Sequence, residues 1–138
     1  MNWGLVARLL GLISLLIGGA MVFTLPWSCP WMGQTVVFEG AAFGGMLRSI
    51  AVCGVVAGLL LFGGRGARNK LLRKEALAIV GVGWMLCGVL GALPFLLTPT
   101  YRAPAVPMSI CDAVFESVSG FTTTGASVLT NLERPAGI

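Results

Sequence analysis

The run Asp112-Ala-Val-Phe-Glu-Ser-Val-Ser-Gly-Phe-Thr-Thr-Thr-Gly-Ala126 joins a short apolar stretch to a Thr-Thr-Thr-Gly turn. The chemistry open to it is coordination of a cation by the backbone. Carbonyl oxygens on irregular chain can replace an ion's hydration shell, provided the side chains turn away from them. Gly125 can take backbone angles that residues with a Cβ resist. The hydroxyls of Thr122, Thr123 and Thr124 can coordinate at the inner end of such a ladder or hold nearby backbone. Glu116 lies four residues after Asp112, on the same helical face. A carboxylate at membrane depth is costly unless paired or hydrated, so Glu116 is expected to brace the loop rather than touch an ion. The same residues also fit a threonine-rich turn between an amphipathic helix and a strand, and short Thr/Gly patterns do not choose between the two.

The helix that positions this turn is written in its ends. Ser109 and Asp112 have the spacing of a capping box, and Asp112 suits the positive end of the helix dipole. The helix is expected to run to about Ser119, roughly 15 Å at 1.5 Å per residue, or half a bilayer. Gly120 is expected to stop it in a left-handed cap. Irregular chain at that depth is tolerated only where protein or a water-filled path surrounds it.

The rest of the chain supplies a membrane for it to enter. Of 138 residues 57% are hydrophobic and 10% charged, with no His; soluble domains average about 25% charged. Apolar runs cover residues 5–25, with Arg8 near the start, 41–62, with Arg48 in the first third, and 76–97, which carries no charge; each is long enough to cross a bilayer. Arg48 is read as reaching for outer headgroups. The first run is read as a retained helix, because Pro26 and Trp27 do not make a signal-peptide cleavage site; Trp27 and Trp31 suit an aromatic belt. Gly54 and Gly58 in the second run, and Gly81, Gly88 and Gly91 in the third, offer small surfaces for helix contact. Pro94 is expected to kink the third helix and Pro99 to end it, leaving residues 98–107 as an outer loop.

Five of the nine basic residues, Arg65, Arg68, Lys70, Arg73 and Lys74, lie in one short link. The positive-inside rule places that link in the cytoplasm and the N-terminus with it; a nucleic-acid patch explains it less well. The fold class is therefore an all-α membrane protein with three transmembrane helices, a re-entrant helix and a loop. No His, nucleophile–base pair, phosphate loop or clustered metal ligands point to an enzyme, and no cofactor is expected. No cysteine pair has CxxC spacing. Cys53 and Cys87 read as small hydrophobes, whereas Cys29 and Cys111 fall on one side, where a disulfide is allowed but not required.

Leu71-Leu-Arg-Lys-Glu75, followed by Trp84 and Gly91-Ala-Leu-Pro-Phe-Leu96, resembles the start of the first pore repeat of TrkH-type potassium uptake proteins, in the Trk/Ktr/HKT superfamily. The stretch from Asp112 to Leu129 is similar to that family's first pore helix and filter, and Asn131-Leu-Glu-Arg-Pro-Ala-Gly-Ile138 to the lead-in to the next helix. The first two helices fit the extra N-terminal hairpin of bacterial members less specifically. The resemblance implies an N-terminal hairpin at residues 1–64, a cytoplasmic basic loop at 65–75, and a first pore repeat at 76–138 without its second helix. It implies four repeats around one pore, with Thr122, Thr123, Thr124 and Gly125 as carbonyl ligands for potassium and Ala126 shaping the mouth. Serine at the first-repeat glycine goes with sodium preference in the plant branch, so Gly125 implies potassium. The implied partners are three further repeats, a second copy, a cytosolic nucleotide-binding regulatory subunit and the bilayer of a bacterial inner membrane. Because a single loop cannot make a fourfold ring, the chain is expected to be the N-terminal part of a longer protein or a truncated reading frame. A small non-conducting scaffold or regulatory subunit is the competing reading.

Overall fold

A computed structural model describes residues 2–28, 40–66, 72–103 and 106–129. Helix α1 spans Trp3–Val22, α2 Gly40–Gly63 and α3 Arg73–Leu97. Their 20, 24 and 25 residues give rises of about 30 Å or more, enough to cross the apolar part of a bilayer. A 3-10 turn at Leu25–Ser28 follows α1. A short antiparallel hairpin, β1 Tyr101–Ala103 and β2 Val106–Pro107, then leads to α4, Ile110–Phe121.

The three long helices are apolar nearly all round. Leu16, Leu59, Leu77 and Met85 stand exposed, the arrangement expected where the surrounding medium is lipid. Between the helices, Ile17, Met21, Cys53 and Leu90 form the buried centre, flanked by Ile13, Ile50, Leu86 and Cys87. α1 and α2 pack closely, because a Cβ on Gly18 would meet Cys53 Cβ at 3.0 Å. Gly54 and Gly58 have the matching spacing but face nothing within 4 Å among the described residues. Buried hydroxyls in this layer satisfy themselves along their own helix. Ser14 donates to the Leu10 carbonyl at 3.0 Å and Ser49 to that of Gly45 at 2.9 Å. Arg48 is exposed near the start of α2. Cys29, Trp31 and the Asn131–Ile138 lead-in lie outside the described residues, so the allowed disulfide has no structural account.

Two ends differ from the sequence reading. α3 begins at Arg73 rather than Ala76, because the Glu75 carboxylate accepts the Leu72 N–H at 3.0 Å. Its other oxygen accepts the Asn2 N–H at 2.9 Å, and the side chain is 1% exposed. Asn2 in turn caps α1 through its side chain, which accepts from Leu5 N. One carboxylate thus ties the entries of α1 and α3 together.

The expected loop at residues 98–107 is largely the β1–β2 hairpin, with Tyr101 opposite Pro107 and Ala103 opposite Val106. Thr98 is extended (φ −98°, ψ 155°), as the residue before Pro99 should be. Its hydroxyl closes α3 on the Pro94 carbonyl at 2.6 Å.

Candidate functional site

α4 is built by its cap. Ser109 Oγ accepts the Asp112 N–H at 3.2 Å, and Asp112 Oδ2 accepts the Ser109 N–H at 3.1 Å and its hydroxyl at 2.7 Å. Arg102 on β1 reaches Asp112 Oδ1 at 3.5 Å. The Ser109 hydroxyl, its amide and then Arg102 hold the Asp112 carboxyl below the usual carboxylate range. A depressed folded pKa means the cap is intact above the ordinary Asp value, near 3.9, and is lost as pH falls through the lower folded value. The α4 amides should therefore stay protected from neutral pH down to about 4 and open only below it, read by hydrogen exchange. Ser109→Ala should destabilise α4 by about 1 kcal/mol at neutral pH, the usual worth of an N-cap.

The far end of α4 corrects the sequence reading. Gly120 does not stop the helix; α4 continues to Phe121, and the left-handed residue is Thr123, at φ 55°. Thr123 N–H donates to the Gly120 carbonyl at 3.2 Å and Thr124 N–H to that of Ser119 at 3.0 Å. That pair of bonds is a Schellman cap with threonine where glycine is usual. The sequence pointed to Gly120 because a β-branched residue at positive φ is rare. With 12 residues, α4 is about 18 Å long.

α4 rests on α3 through two glycines. Val118 Cγ2 lies 3.0 Å from where a Gly88 Cβ would be, and Phe121 Cε2 lies 2.6 Å from a Gly91 Cβ, with Ser117 Oγ closer still. Gly81 meets nothing within 4 Å among the described residues.

The loop is held to α4 on both limbs. Thr122 Oγ1 donates to the Val118 carbonyl at 2.8 Å and lies 2.7 Å from Thr124 Oγ1. The Thr123 hydroxyl donates to the Thr122 carbonyl at 2.7 Å. Ser119 Oγ donates to the Ala126 carbonyl at 2.6 Å. Glu116 Oε1 accepts the Ser127 hydroxyl at 2.7 Å and the Val128 N–H at 2.6 Å. Gly125 sits between these ties at φ 71°, with nothing among the described residues within 4 Å of a notional Cβ. Thr122, Thr123, Thr124 and Gly125 are exposed, whereas Glu116 is half-buried. Ser119 and Ser127 were not singled out by sequence, since a serine hydroxyl gives no sign of which acceptor it will choose.

Glu116→Ala would strip both donors at once. The loop should loosen by about 1.5–3 kcal/mol, the usual worth of a hydrogen bond to a charged acceptor, while Glu116→Gln keeps an acceptor and most of the order. Hydrogen exchange at Val128 N–H checks this, and equal protection in the two variants would contradict it.

Comparison with known proteins gives a consistent picture. Over 133 residues, 96% of the chain, it is 29% identical to the Trk system potassium uptake protein TrkH of Halomonas elongata. The TrkH of Escherichia coli matches with the same identity and extent. The chain spans about a quarter of the length of these relatives, 25%. It is 36% identical over 73 residues, 53% of the chain and 14% of the relative, to the TrkH of Vibrio parahaemolyticus. An uncharacterized cation transporter of Methanocaldococcus jannaschii is 36% identical over 70 residues, half of the chain and 14% of that protein. No family model matches, and no solved structure does.

Proposed function

We propose that this chain, TrkH-like over nearly its whole length, is the N-terminal part of a multi-pass potassium uptake protein, and that residues 122–125 supply one strand of its ion filter. The observation that carries the reading is a loop with positive φ at Thr123 and Gly125, tied from behind to a helix of about half a bilayer's length. In an extended strand successive carbonyls point to opposite sides. Reversing the backbone's hand at intervals turns them towards one side, which a ladder of ion ligands requires. A threonine held left-handed costs about 1–2 kcal/mol, and strain of that kind is concentrated at functional sites.

The chain's own residues divide the work. The bonds from Glu116, Ser119 and Thr122 fix the loop so that it does not close on a smaller ion. The carbonyls of Thr122, Thr123, Thr124 and Gly125 replace water around potassium, and the negative end of the α4 dipole favours the cation. Potassium is cargo, and no cofactor is invoked. Residues 1–64 form the accessory hairpin, 65–75 the cytoplasmic link and 76–138 the first pore repeat. The N-terminus is cytoplasmic and the membrane is the bacterial inner membrane. Three further repeats complete the ring; a second copy and a cytosolic nucleotide-binding subunit complete the assembly.

The test is rubidium uptake by cells lacking other potassium systems and expressing the native polypeptide. Saturable uptake is expected, and replacement of residues 121–127 by a Gly-Ser segment should abolish it. Equal uptake with and without that replacement would sink the proposal.

A further inference from the structure

We infer that Ser119 is a positioning residue that sets the far end of the carbonyl ladder and so helps decide which cation the loop accepts; this rests on the reading of residues 122–125 as a filter strand. The other buried serines with a bonded hydroxyl, Ser14 and Ser49, return it to the carbonyl four residues back. Ser119 is also buried, 6% exposed against 0% for both of them, yet its hydroxyl leaves its own helix. It reaches seven residues ahead to the Ala126 carbonyl at 2.6 Å. Its backbone carbonyl meanwhile accepts the Thr124 N–H at 3.0 Å.

One residue therefore holds the chain on both sides of Gly125. The consequence is directional. A carbonyl that accepts a hydroxyl from the helix behind is turned away from the face the ladder presents. Ala126 is thereby withdrawn as a ligand, and the ladder ends at Gly125. Without the hydroxyl, the Ala126 peptide can rotate forward, and the site gains a loosely held oxygen that a smaller cation can also use.

The experiment uses the native polypeptide in liposomes, with potassium and sodium uptake measured on matched amounts of monodisperse protein. Ser119→Ala should lower the potassium-over-sodium ratio about fivefold, corresponding to the ~1 kcal/mol net worth of one hydrogen bond. Ser119→Thr keeps a hydroxyl and should retain most of the ratio. If Ser119→Ala does not accumulate, Ser119→Cys, similar in size but a weak donor, is read in its place. Gly125→Ser serves as the control for the filter itself. A ratio lost in Gly125→Ser but unchanged without the Ser119 hydroxyl overturns this inference alone. A ratio unchanged in both overturns the filter reading beneath it. Loss in Ser119→Thr equal to that in Ser119→Ala also overturns the inference, because the hydroxyl would then not be what matters.

Discussion

Gly125→Ser in the native polypeptide is expected to lower the preference for potassium over sodium about tenfold. The cause is backbone angle, not crowding. Gly125 sits at φ 71°, and nothing among the described residues lies within 4 Å of a Cβ built there. A side chain would have room, but the left-handed backbone costs an L-residue about 1–2 kcal/mol. The ties at Thr124 and Ala126 are expected to hold, so Gly125 is where the chain should give. Its carbonyl would then leave the ladder. Because α4 and its packing on α3 are untouched, the variant should still assemble. Gly125→Ala should behave alike, since the Cβ is what matters. An unchanged flux ratio in both variants would contradict the account.

Gly91→Val is expected to remove most transport, leaving less than about a tenth of it. A Cβ at Gly91 would stand 2.6 Å from Phe121 Cε2 and would press on Ser117 Oγ. Both residues belong to α4, and Phe121 is the last residue before the loop. Overpacking of this kind costs about 1–3 kcal/mol. Here relief means moving α4, and the loop travels with it. The Ser117 hydroxyl is buried with no hydrogen-bond partner among the described residues, so its removal should be nearly harmless alone. Ser117→Ala should restore part of the activity of Gly91→Ala, with a coupling of about 0.5–3 kcal/mol, as for residues in direct contact. Strict additivity of the two changes would show that the contact is not what Gly91 protects.

Much of the fold was legible because lipid imposes a simple demand. A predominantly apolar run of sufficient length has little choice but to be a helix, and the second run, 41–62, became Gly40–Gly63. The start of α4 was legible for a local reason, since Ser109 and Asp112 are three residues apart and meet only in a cap. What was hidden depends on choices made at a distance. Glu75 stands just before the third apolar run, where an acidic group suits the helix dipole, but its second oxygen is taken by Asn2, 73 residues away in sequence. Gly54–Gly58 and Gly88–Gly91 look equally suited to contact, and among the described residues only the second pair meets another helix. At the candidate site Glu116 could be placed behind the loop because a charge at depth needs partners. The left-handed Thr123 ran against propensity, and the reach of Ser119 to Ala126 left no periodic mark.

The central claim is that carbonyls of residues 122–125 hold potassium. The most direct measurement is a structure of the native polypeptide in thallium, an anomalous stand-in for potassium, beside one in sodium alone. The account predicts thallium density against the carbonyl face of Thr122, Thr123, Thr124 and Gly125, with none against Ala126. Thallium bound elsewhere in the membrane region, with this loop bare, would contradict it.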